Sequence, residues 1–240
     1  MTDSRQQLQD KIGQWREQFK DSTPEQVLRF FLGAFGRRIA LASSMGLEDQ
    51  VLTDMILSID GDARIFTIDT GRLYPETYEL IDATCERYNH RIEVYFPDSA
   101  GVEKYVSEHG INGFYMSVEL RKACCRARKI EPLERALGTL DVWICGLRRG
   151  QAVTRSEEQM IEWDGMHGLV KLNPLVDYSE SQVWEYIKKH KVPYNRLHDQ
   201  NFPSIGCAPC TRAVKEGEDI RAGRWWWESP EHKECGLHRR

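Results

Sequence analysis

The sequence predicts an α/β protein with a mostly parallel sheet flanked by helices and a loop-rich C-terminal extension. Short apolar strands alternate with helical segments of ten or more residues, which is typical of parallel β-α-β units. Polar or glycine-rich stretches follow three of the strands, where ligands bind in such sheets. The 240 residues contain no repeat or low-complexity linker and are enough to bury a full core.

Apolar periodicity and capping residues define the individual elements. One face of a first helix carries the apolar side chains Leu8, Ile12, Trp15 and Phe19. Thr23 is the predicted N-cap of a second helix that ends at residue 35, with proline at its first position. Strands are predicted over residues 38–42, 63–68, 91–96 and 140–145. Helices are predicted over 48–57, 75–88, 101–109 and 182–190, and within 118–137, whereas 151–166 is expected to be a flexible loop.

We expect a single domain over residues 1–240, with N-terminal helices to about 36, an α/β core over about 37–200 and a C-terminal segment from about 201. The net charge of -4 argues against a nucleic-acid partner. No apolar run approaches the roughly 20 residues that span a bilayer, and the N-terminus lacks a secretory signal. A cytoplasmic location is therefore expected, and self-association as a homo-oligomer stays open.

Two of the polar stretches at predicted strand ends contain candidate ligand-binding residues. Ser43, Ser44 and Gly46 lie in a strand-to-helix turn whose hydroxyl and backbone N–H groups suit an anion. The turn is not a Walker A loop, because no Gly-Lys-Ser/Thr follows it. Asp69 and Gly71 end the second strand, although they could simply form a turn.

Cations are concentrated in one part of the chain. Residues 121–149 carry eight lysines and arginines against three acids, which suits a small anionic ligand. Further arginines stand at Arg155, Arg221 and Arg224. Two or three of these cations could merely solubilise helices. The three tryptophans at 225–227 are expected to pack, with a cover over a ligand or a partner surface as alternatives.

Four cysteines form two close pairs that are far apart in the sequence. Cys207 and Cys210 have the C-x-x-C spacing, and Cys124 and Cys125 are adjacent. Four thiolates can hold zinc or an iron–sulfur cluster. Adjacent ligands are awkward around one small ion, whereas a cluster offers separate corners, so the spacing favours a cluster. Zinc and a redox-active dithiol remain alternatives.

The other three cysteines lead to different predictions. Cys85 and Cys145 lie among apolar residues and are predicted to be buried structural side chains. Cys235 stands in a polar tail without apolar periodicity. An exposed thiol near cations has a lowered pKa and acts as a nucleophile, so Cys235 is a candidate catalytic residue. An incidental surface cysteine is the alternative.

Six motifs together resemble those of the assimilatory adenylylsulfate (APS) reductases, relatives of the phosphoadenylylsulfate (PAPS) reductases. They are SSMGLED from Ser43, DTGRLYPET from Asp69, CCRARK from Cys124, GLRRGQ from Gly146, CAPCTR from Cys207 and ECGLH from Glu234. The motifs span nearly the whole chain. The last two are highly specific, whereas the first two recur in related adenine-nucleotide enzymes.

The resemblance implies an adenine nucleotide α-hydrolase-like core and a [4Fe-4S] cluster on Cys124, Cys125, Cys207 and Cys210. It also implies that Cys235 attacks the sulfur of APS, which releases AMP and leaves S-sulfocysteine on the enzyme. Thioredoxin or glutaredoxin would then release sulfite by thiol exchange, in sulfate assimilation and cysteine biosynthesis. Plant-type relatives carry a fused glutaredoxin-like domain, whereas this sequence stops at residue 240, so an external donor is expected.

The same resemblance implies two sets of substrate contacts. The phosphosulfate would be held by Lys129, Arg221 and Arg224. The nucleotide would be held by Ser43, Ser44, Gly46, Asp69, Gly71, Arg148 and Arg155. His238 is three residues from Cys235 and is either a contact of the substrate or thiolate or an exposed tail residue.

Substrate choice follows from the cysteines. PAPS reductases usually lack the four cluster cysteines, so APS is the expected substrate, with PAPS or both nucleotides as the alternative. Two other functions are weighed against reduction. One is a metal-thiolate redox or binding module, and the other is a relative that activates sulfur for RNA modification.

Overall fold

The computed structural model of the protein describes residues 4–151 and 157–229. The helices are α1 (Arg5–Gln18), α2 (Pro24–Phe35), α3 (Leu47–Ile59), α4 (Pro75–Tyr88), α5 (Ser99–His109), α6 (Val118–Cys125), α7 (Glu131–Leu137) and α8 (Glu180–His190). The strands are β1 (Ile39–Ser43), β2 (Arg64–Ile68), β3 (Glu93–Tyr95), β4 (Val142–Ile144), β5 (Ile161–Asp164) and β6 (Leu169–Leu172).

The six strands form one sheet in the order β3-β2-β1-β4-β6-β5. Strand β1 pairs in parallel with β2 and β4, and β4 pairs in parallel with β6. Strand β5 is antiparallel to β6 at the edge of the sheet. The predicted α/β class, with a mostly parallel sheet flanked by helices, is confirmed.

The prediction of a flexible loop over residues 151–166 is wrong where β5 forms. Ile161 is buried and Trp163 packs against the apolar core, whereas Glu162 between them pairs with a lysine on β6. An edge strand needs only one apolar face, so its sequence can be largely polar. That polarity is what made the segment look like a loop.

The helix ends follow from local sequence signals. Thr23 and Ser179 each form a capping box with a glutamine three residues later, as predicted. The predicted bounds of α4 are confirmed. The helical region predicted within 118–137 consists of α6, a π-helical turn over Arg126–Ile130, and α7. Among the described helices, none is long and apolar enough to cross a bilayer.

The chain forms two compact units. The first, here called the sheet unit, comprises the described residues of 1–67, 80–93 and 137–194. The second, here called the cysteine unit, comprises those of 68–79, 94–136 and 195–240. The sheet unit has an extensive apolar core that includes Trp15, Phe31 and Val170. The expectation of one domain stays a prediction.

Candidate active site and metal centre

The turn between β1 and α3, in the sheet unit, contains three of the predicted site residues. Met45 lies in this turn with a φ of 61°, a left-handed conformation that is uncommon for a residue other than glycine. The Oγ of Ser43 accepts a hydrogen bond from the Met45 N–H at 3.1 Å. Gly46 is the N-cap of α3. The turn is therefore stabilised by one of the hydroxyls that the sequence assigned to a ligand.

Asp49, in the first turn of α3, fixes the shape of the same turn. Its Oδ2 accepts hydrogen bonds from the Ser44 N–H at 2.6 Å and from the Ser44 hydroxyl at 2.7 Å. Burial raises the pKa of Asp49 to about 6, although the two bonds from Ser44 oppose that rise. Sequence reasoning missed this role. The available signal was an acid close behind a serine-rich strand-to-helix turn.

The segment after β4 contacts the start of α3. A Cβ on Gly146 would collide with Oδ1 of Asp49, so only glycine fits at this position. Arg148, predicted to hold the nucleotide, forms a buried ion pair with Glu48, with Nε 2.7 Å from Oε1. The sheet unit thus brings together the polar stretches 43–46 and 146–148.

Asp69 and Gly71 lie in the turn after β2, in the cysteine unit. Oδ1 of Asp69 accepts hydrogen bonds from the Gly71 N–H at 2.7 Å and from the Tyr78 hydroxyl at 2.9 Å. Gly71 has a φ of 71°, which favours glycine. Burial and the Asp69 carboxylate raise the pKa of Tyr78 to about 12, so this phenol remains a donor at neutral pH. The Asp69 carboxylate therefore shapes the turn.

The predicted metal ligands all lie in the cysteine unit; they are Cys124, Cys125, Cys207 and Cys210. The first two end α6; Cys207 precedes a 3₁₀ turn over Ala208–Cys210, and Cys210 is the last residue of that turn. Cys210 forms a buried cluster with Phe114 and Trp225, against which Cys124 packs. Two pairs that are far apart in sequence therefore converge under an aromatic cover.

The thiols are close enough to affect one another's charge. Burial raises the pKa of Cys124, with Arg128 opposing the rise and Cys207 adding to it. Burial also raises the pKa of Cys210, and the other three thiols add to that rise. Thiolates crowded in this way need a positively charged group between them.

The donor set fits an iron–sulfur cluster. Four cysteine sulfur atoms are the ligands that such clusters take in proteins. Within residues 4–151 and 157–229, no group of three or more His, Cys, Asp or Glu side chains is arranged to hold a metal ion. The fit therefore rests on the chemistry and mutual proximity of the thiols.

Residues just after β2 hold the turn that carries the C-x-x-C pair. The Thr70 hydroxyl lies 3.2 Å from Sγ of Cys207. The Ala208 N–H donates to the carbonyl oxygen of Arg72 at 2.8 Å, and the Tyr74 hydroxyl donates to the carbonyl oxygen of Ala208 at 3.2 Å. Sequence reasoning gave Thr70, Arg72 and Tyr74 no role of their own, although all three belong to the DTGRLYPET motif.

The cations predicted to hold the phosphosulfate also lie in the cysteine unit; they are Lys129, Arg221 and Arg224. Lys129 is part of the π-helical turn that follows the adjacent cysteines, and such turns are frequent at functional sites. The Arg224 guanidinium lies 4.7 Å from the ring centroid of Trp225. Among the described residues, its buried Nε–H has no hydrogen-bond acceptor, which leaves a donor for an anion.

Three predicted site residues lie outside the described part of the chain, and their roles stay predictions; they are Arg155, Cys235 and His238. Of the two cysteines predicted to be buried structural side chains, Cys145 is buried as expected. Cys85 packs against the apolar core but is only half-buried. Trp225 is buried as well, in agreement with the packing role predicted for it.

Known proteins resemble this chain in both sequence and structure. Residues 38–213 match the family described as the phosphoadenosine phosphosulfate reductase domain. A relative from Allochromatium vinosum named adenosine 5'-phosphosulfate reductase is 57% identical, over 84% of this chain and 79% of its own length. A relative of the same name from Neisseria meningitidis is 49% identical, over 92% of this chain and 89% of its own length.

Among solved structures, a phosphoadenylyl-sulfate reductase from Candida auris in a phosphate complex has a TM-score of 0.73 and 28% identity, covering 89% of this chain and 99% of that chain. An FMN adenylyltransferase from Candida glabrata shares the fold alone, with a TM-score of 0.55 and 14% identity over 88% of this chain and 77% of its own. Since the family match covers most of the chain and the curated relatives share about half of its residues, the chain belongs to the APS/PAPS reductase family.

Proposed function

We propose that the protein is an adenosine 5'-phosphosulfate reductase, which reduces APS to sulfite and AMP in sulfate assimilation and cysteine biosynthesis. The observation that carries the proposal is the gathering of Cys124, Cys125, Cys207 and Cys210 in one unit. These four cysteines favour APS over PAPS, because PAPS reductases usually lack them. The relatives named above support the same substrate.

Cys235 is the proposed nucleophile. Its thiolate attacks the sulfur atom of APS, the bond between that sulfur and the bridging phosphate oxygen breaks, and AMP leaves with the electron pair. The leaving phosphate has a second pKa of about 6, so it needs little protonation at neutral pH. The product on the enzyme is S-sulfocysteine. This step needs no outside electrons, because the sulfur atom of the substrate exchanges its bond to the bridging oxygen for a bond to the sulfur of Cys235.

An external dithiol completes the reaction. A thiolate of thioredoxin or glutaredoxin attacks the Cys235 sulfur, and sulfite leaves with the electron pair. The second thiol of the donor then displaces Cys235, which is regenerated as a thiolate while the donor becomes a disulfide. The two electrons that reduce the sulfonate therefore come from the donor, which fits a cytoplasmic enzyme with reduced cysteines.

Cations are needed because both reactants are anions. Lys129, Arg221 and Arg224 are proposed to bind the phosphosulfate, a role supported by the unpartnered buried donor of Arg224. Since Arg148 is already paired with Glu48, we propose that it acts mainly by shaping the nucleotide-binding surface.

The remaining nucleotide contacts are proposed from the family resemblance; they are Ser43, Ser44, Gly46, Asp69, Gly71 and Arg155. His238 is proposed to contact the substrate or the thiolate. The internal bonds of Ser43, Ser44 and Asp69 support a role in fixing the turns. Their remaining polar atoms are available to the neutral adenosine moiety of the nucleotide. Binding by such turns is sensitive to their shape.

The four cysteines are proposed to hold a [4Fe-4S] cluster. When bound, it would anchor the C-terminal segment and supply fixed charge, while the electrons come from the dithiol. Iron and acid-labile sulfide in equal amounts would support the cluster, and zinc without sulfide would contradict it. Arg128 and Arg72 lie near the Cys124 thiol, and their positive charge favours its thiolate.

The direct test is intact-protein mass spectrometry on anaerobically purified protein incubated with APS or PAPS without a reductant. We expect one sulfonate per chain with APS, mapped to Cys235 by peptide analysis. Cys235→Ser should not gain the sulfonate, whereas Cys85→Ala should gain it as the unchanged protein does. A gain with both nucleotides would make the enzyme bifunctional. No gain with either, on protein that contains iron and sulfide, would overturn the proposal.

A further inference from the structure

Arg121 on α6 makes an unusual set of contacts within the cysteine unit. It is only 1% exposed although it carries a permanent charge. Its Nε and Nη2 donate to the two carboxylate oxygens of Glu228 at 2.9 and 2.8 Å. The guanidinium lies 4.6 Å from the ring centroid of Trp225. It also hydrogen-bonds the thiol of Cys125, one helical turn away on α6.

A buried ion pair of this kind is not explained by stability alone. Removing two charges from water is costly, and well-packed apolar residues often serve equally well in the same volume. The planar fork of arginine nevertheless gives a fixed, bidentate geometry that a lysine cannot reproduce. Such a pair defines the relative position of the two segments that carry Arg121 and Glu228.

Those two segments carry the chemistry of the proposed reaction. Arg121 lies on the helix that ends in Cys124 and Cys125, and Glu228 lies seven residues before Cys235 in the sequence. Trp225, on the same segment as Glu228, donates its backbone N–H to the carbonyl oxygen of Cys210 at 3.1 Å. Trp225 also has a φ of 41°, a strained conformation that surrounding contacts must maintain.

We infer that Arg121 is a positioning residue, which ties the segment leading to Cys235 to the helix that carries Cys124 and Cys125. The inference rests on the proposed role of Cys235. It explains why the charge pair is buried beside the cysteines: the bidentate contact of the Arg121 guanidinium fixes Glu228, which lies seven residues before the proposed nucleophile in the sequence. The rate at which Cys235 reacts then depends on the Arg121–Glu228 pair separately from retention of the metal group.

Substitution of Glu228 and substitution of Arg121 are predicted to have different effects. Glu228→Gln removes one charge and keeps an oxygen acceptor, so the contact between Arg121 and Cys125 remains. Arg121→Met removes the contacts to Glu228 and to Cys125 together. A merely structural ion pair would instead give two variants that differ from the unchanged protein in thermal stability alone.

The experiment uses anaerobically purified full-length protein that contains iron and sulfide. Glu228→Gln should keep the iron, the sulfide and the visible absorption of the unchanged protein. Its single-turnover rate of Cys235 sulfonation at saturating APS should fall by about tenfold to a hundredfold, as for a misplaced reacting group. Its affinity for AMP should stay the same. Arg121→Met should show the same loss of rate and, in addition, an altered visible absorption, because Cys125 has lost a hydrogen bond.

The matched control is Arg64→Met, which breaks a bidentate pair with Glu93 of 2.8 and 2.9 Å in the sheet unit. It should leave the sulfonation rate and the absorption unchanged. If Glu228→Gln does not fold, Arg121→Lys replaces it, since it keeps the charge and loses the fork. A folded, iron-containing Glu228→Gln or Arg121→Lys protein that sulfonates Cys235 at the unchanged rate would overturn the inference. Sulfonation of the unchanged protein would still support the proposed function.

Discussion

The sheet unit and the cysteine unit hold their candidate functional residues by different physical means. In the sheet unit, the turn after β1 rests on an extensive apolar core and is shaped by the buried carboxylate of Asp49, while the neighbouring Glu48 pairs with Arg148. In the cysteine unit, two of the thiols end the short helix α6, and the other two lie at a single 3₁₀ turn. Hydrogen bonds with Thr70 and Tyr74, and a small cluster around Phe114, hold that turn in place.

The difference indicates which of the two sets of candidate residues is arranged before any ligand binds. Turns on a packed sheet are rigid because regular elements fix both of their ends. Clustered thiols repel one another once they ionise, so their arrangement depends on the group that they hold. We therefore expect damage to the cysteine unit to remove a cofactor and the activity, and damage to the sheet unit to lower stability while the cofactor stays.

The largest effect is expected for Cys210→Ser. Cys210 is buried between Phe114 and Trp225, and its loss removes one of the four proposed ligands. We expect loss of iron, loss of detectable sulfite release, and faster proteolysis within residues 195–229. Iron and sulfide analysis and a sulfite assay measure these outcomes. Cys145→Ala, at a buried cysteine of the sheet unit, should retain iron and activity. Full iron content in Cys210→Ser would show that Cys210 is not a ligand.

The next largest effect is expected for Arg148→Met. This change leaves the Glu48 side chain, which is only 13% exposed, without its partner, so the free energy of unfolding should fall by about 3–5 kcal/mol. Iron content should stay the same, because the pair belongs to the sheet unit. Denaturant titration measures the stability. The double variant Arg148→Met with Glu48→Gln should recover much of the loss, and no recovery would mean that Arg148 acts through other contacts.

The buried carboxylate of Asp49 predicts a dependence of stability on pH. Its pKa is raised from the ordinary value of 3.8 to about 6 in the folded protein, so between these values the folded state binds more protons than the unfolded state. The free energy of unfolding contributed by Asp49 therefore falls as the pH rises through this range, by at most about 3 kcal/mol. Asp49→Asn removes this contribution.

Comparing Asp49→Asn with the unchanged protein separates the contribution of Asp49 to the pH dependence of stability from the contributions of the other acids. The stability of Asp49→Asn relative to the unchanged protein should increase between pH 4 and pH 7, which covers nearly all of the interval from 3.8 to about 6 over which the pKa of Asp49 is raised. Denaturant titration at both values of pH measures the difference. A difference that is constant with pH would show that Asp49 ionises freely in the folded protein.

A smaller effect is expected for Gly146→Ala. The added Cβ would collide with Asp49 Oδ1, and such overpacking costs about 1–3 kcal/mol of unfolding free energy. Gly13→Ala is the matched control, because a Cβ on Gly13 meets nothing within 4 Å and the residue lies inside α1. That control should stabilise the protein by about 0.5–1 kcal/mol. Equal effects of the two substitutions would mean that the turn after β1 adapts to the added methyl group.

The two units also differ in how much of them the sequence predicts. The sheet unit follows from local signals, such as the capping box of Thr23 and the apolar face of α1. Its edge strand β5 escapes prediction because only half of its residues are apolar. The four cysteines can be predicted as metal ligands because the close spacing within each pair is itself typical of such ligands.

The partners of the site residues could not be predicted from the sequence. Arg121 and Glu228 are 107 residues apart, and their pairing depends on the path of the chain between them. Asp49 reads as an ordinary acid in the first turn of a helix, and only the folded turn shows that its carboxylate binds Ser44. Long-range electrostatic pairing is set by tertiary structure, which local patterns do not contain.

The contrast between the two units is tested most directly by amide hydrogen exchange, measured on the iron-containing protein and after anaerobic removal of iron by a chelator. We expect residues 68–79, 94–136 and 195–229 of the cysteine unit to lose protection, while the core strands β1, β4 and β6 of the sheet unit keep it. Equal loss of protection in both units, or no loss in either, would contradict the claim that the thiol-bound group stabilises the cysteine unit and not the sheet unit.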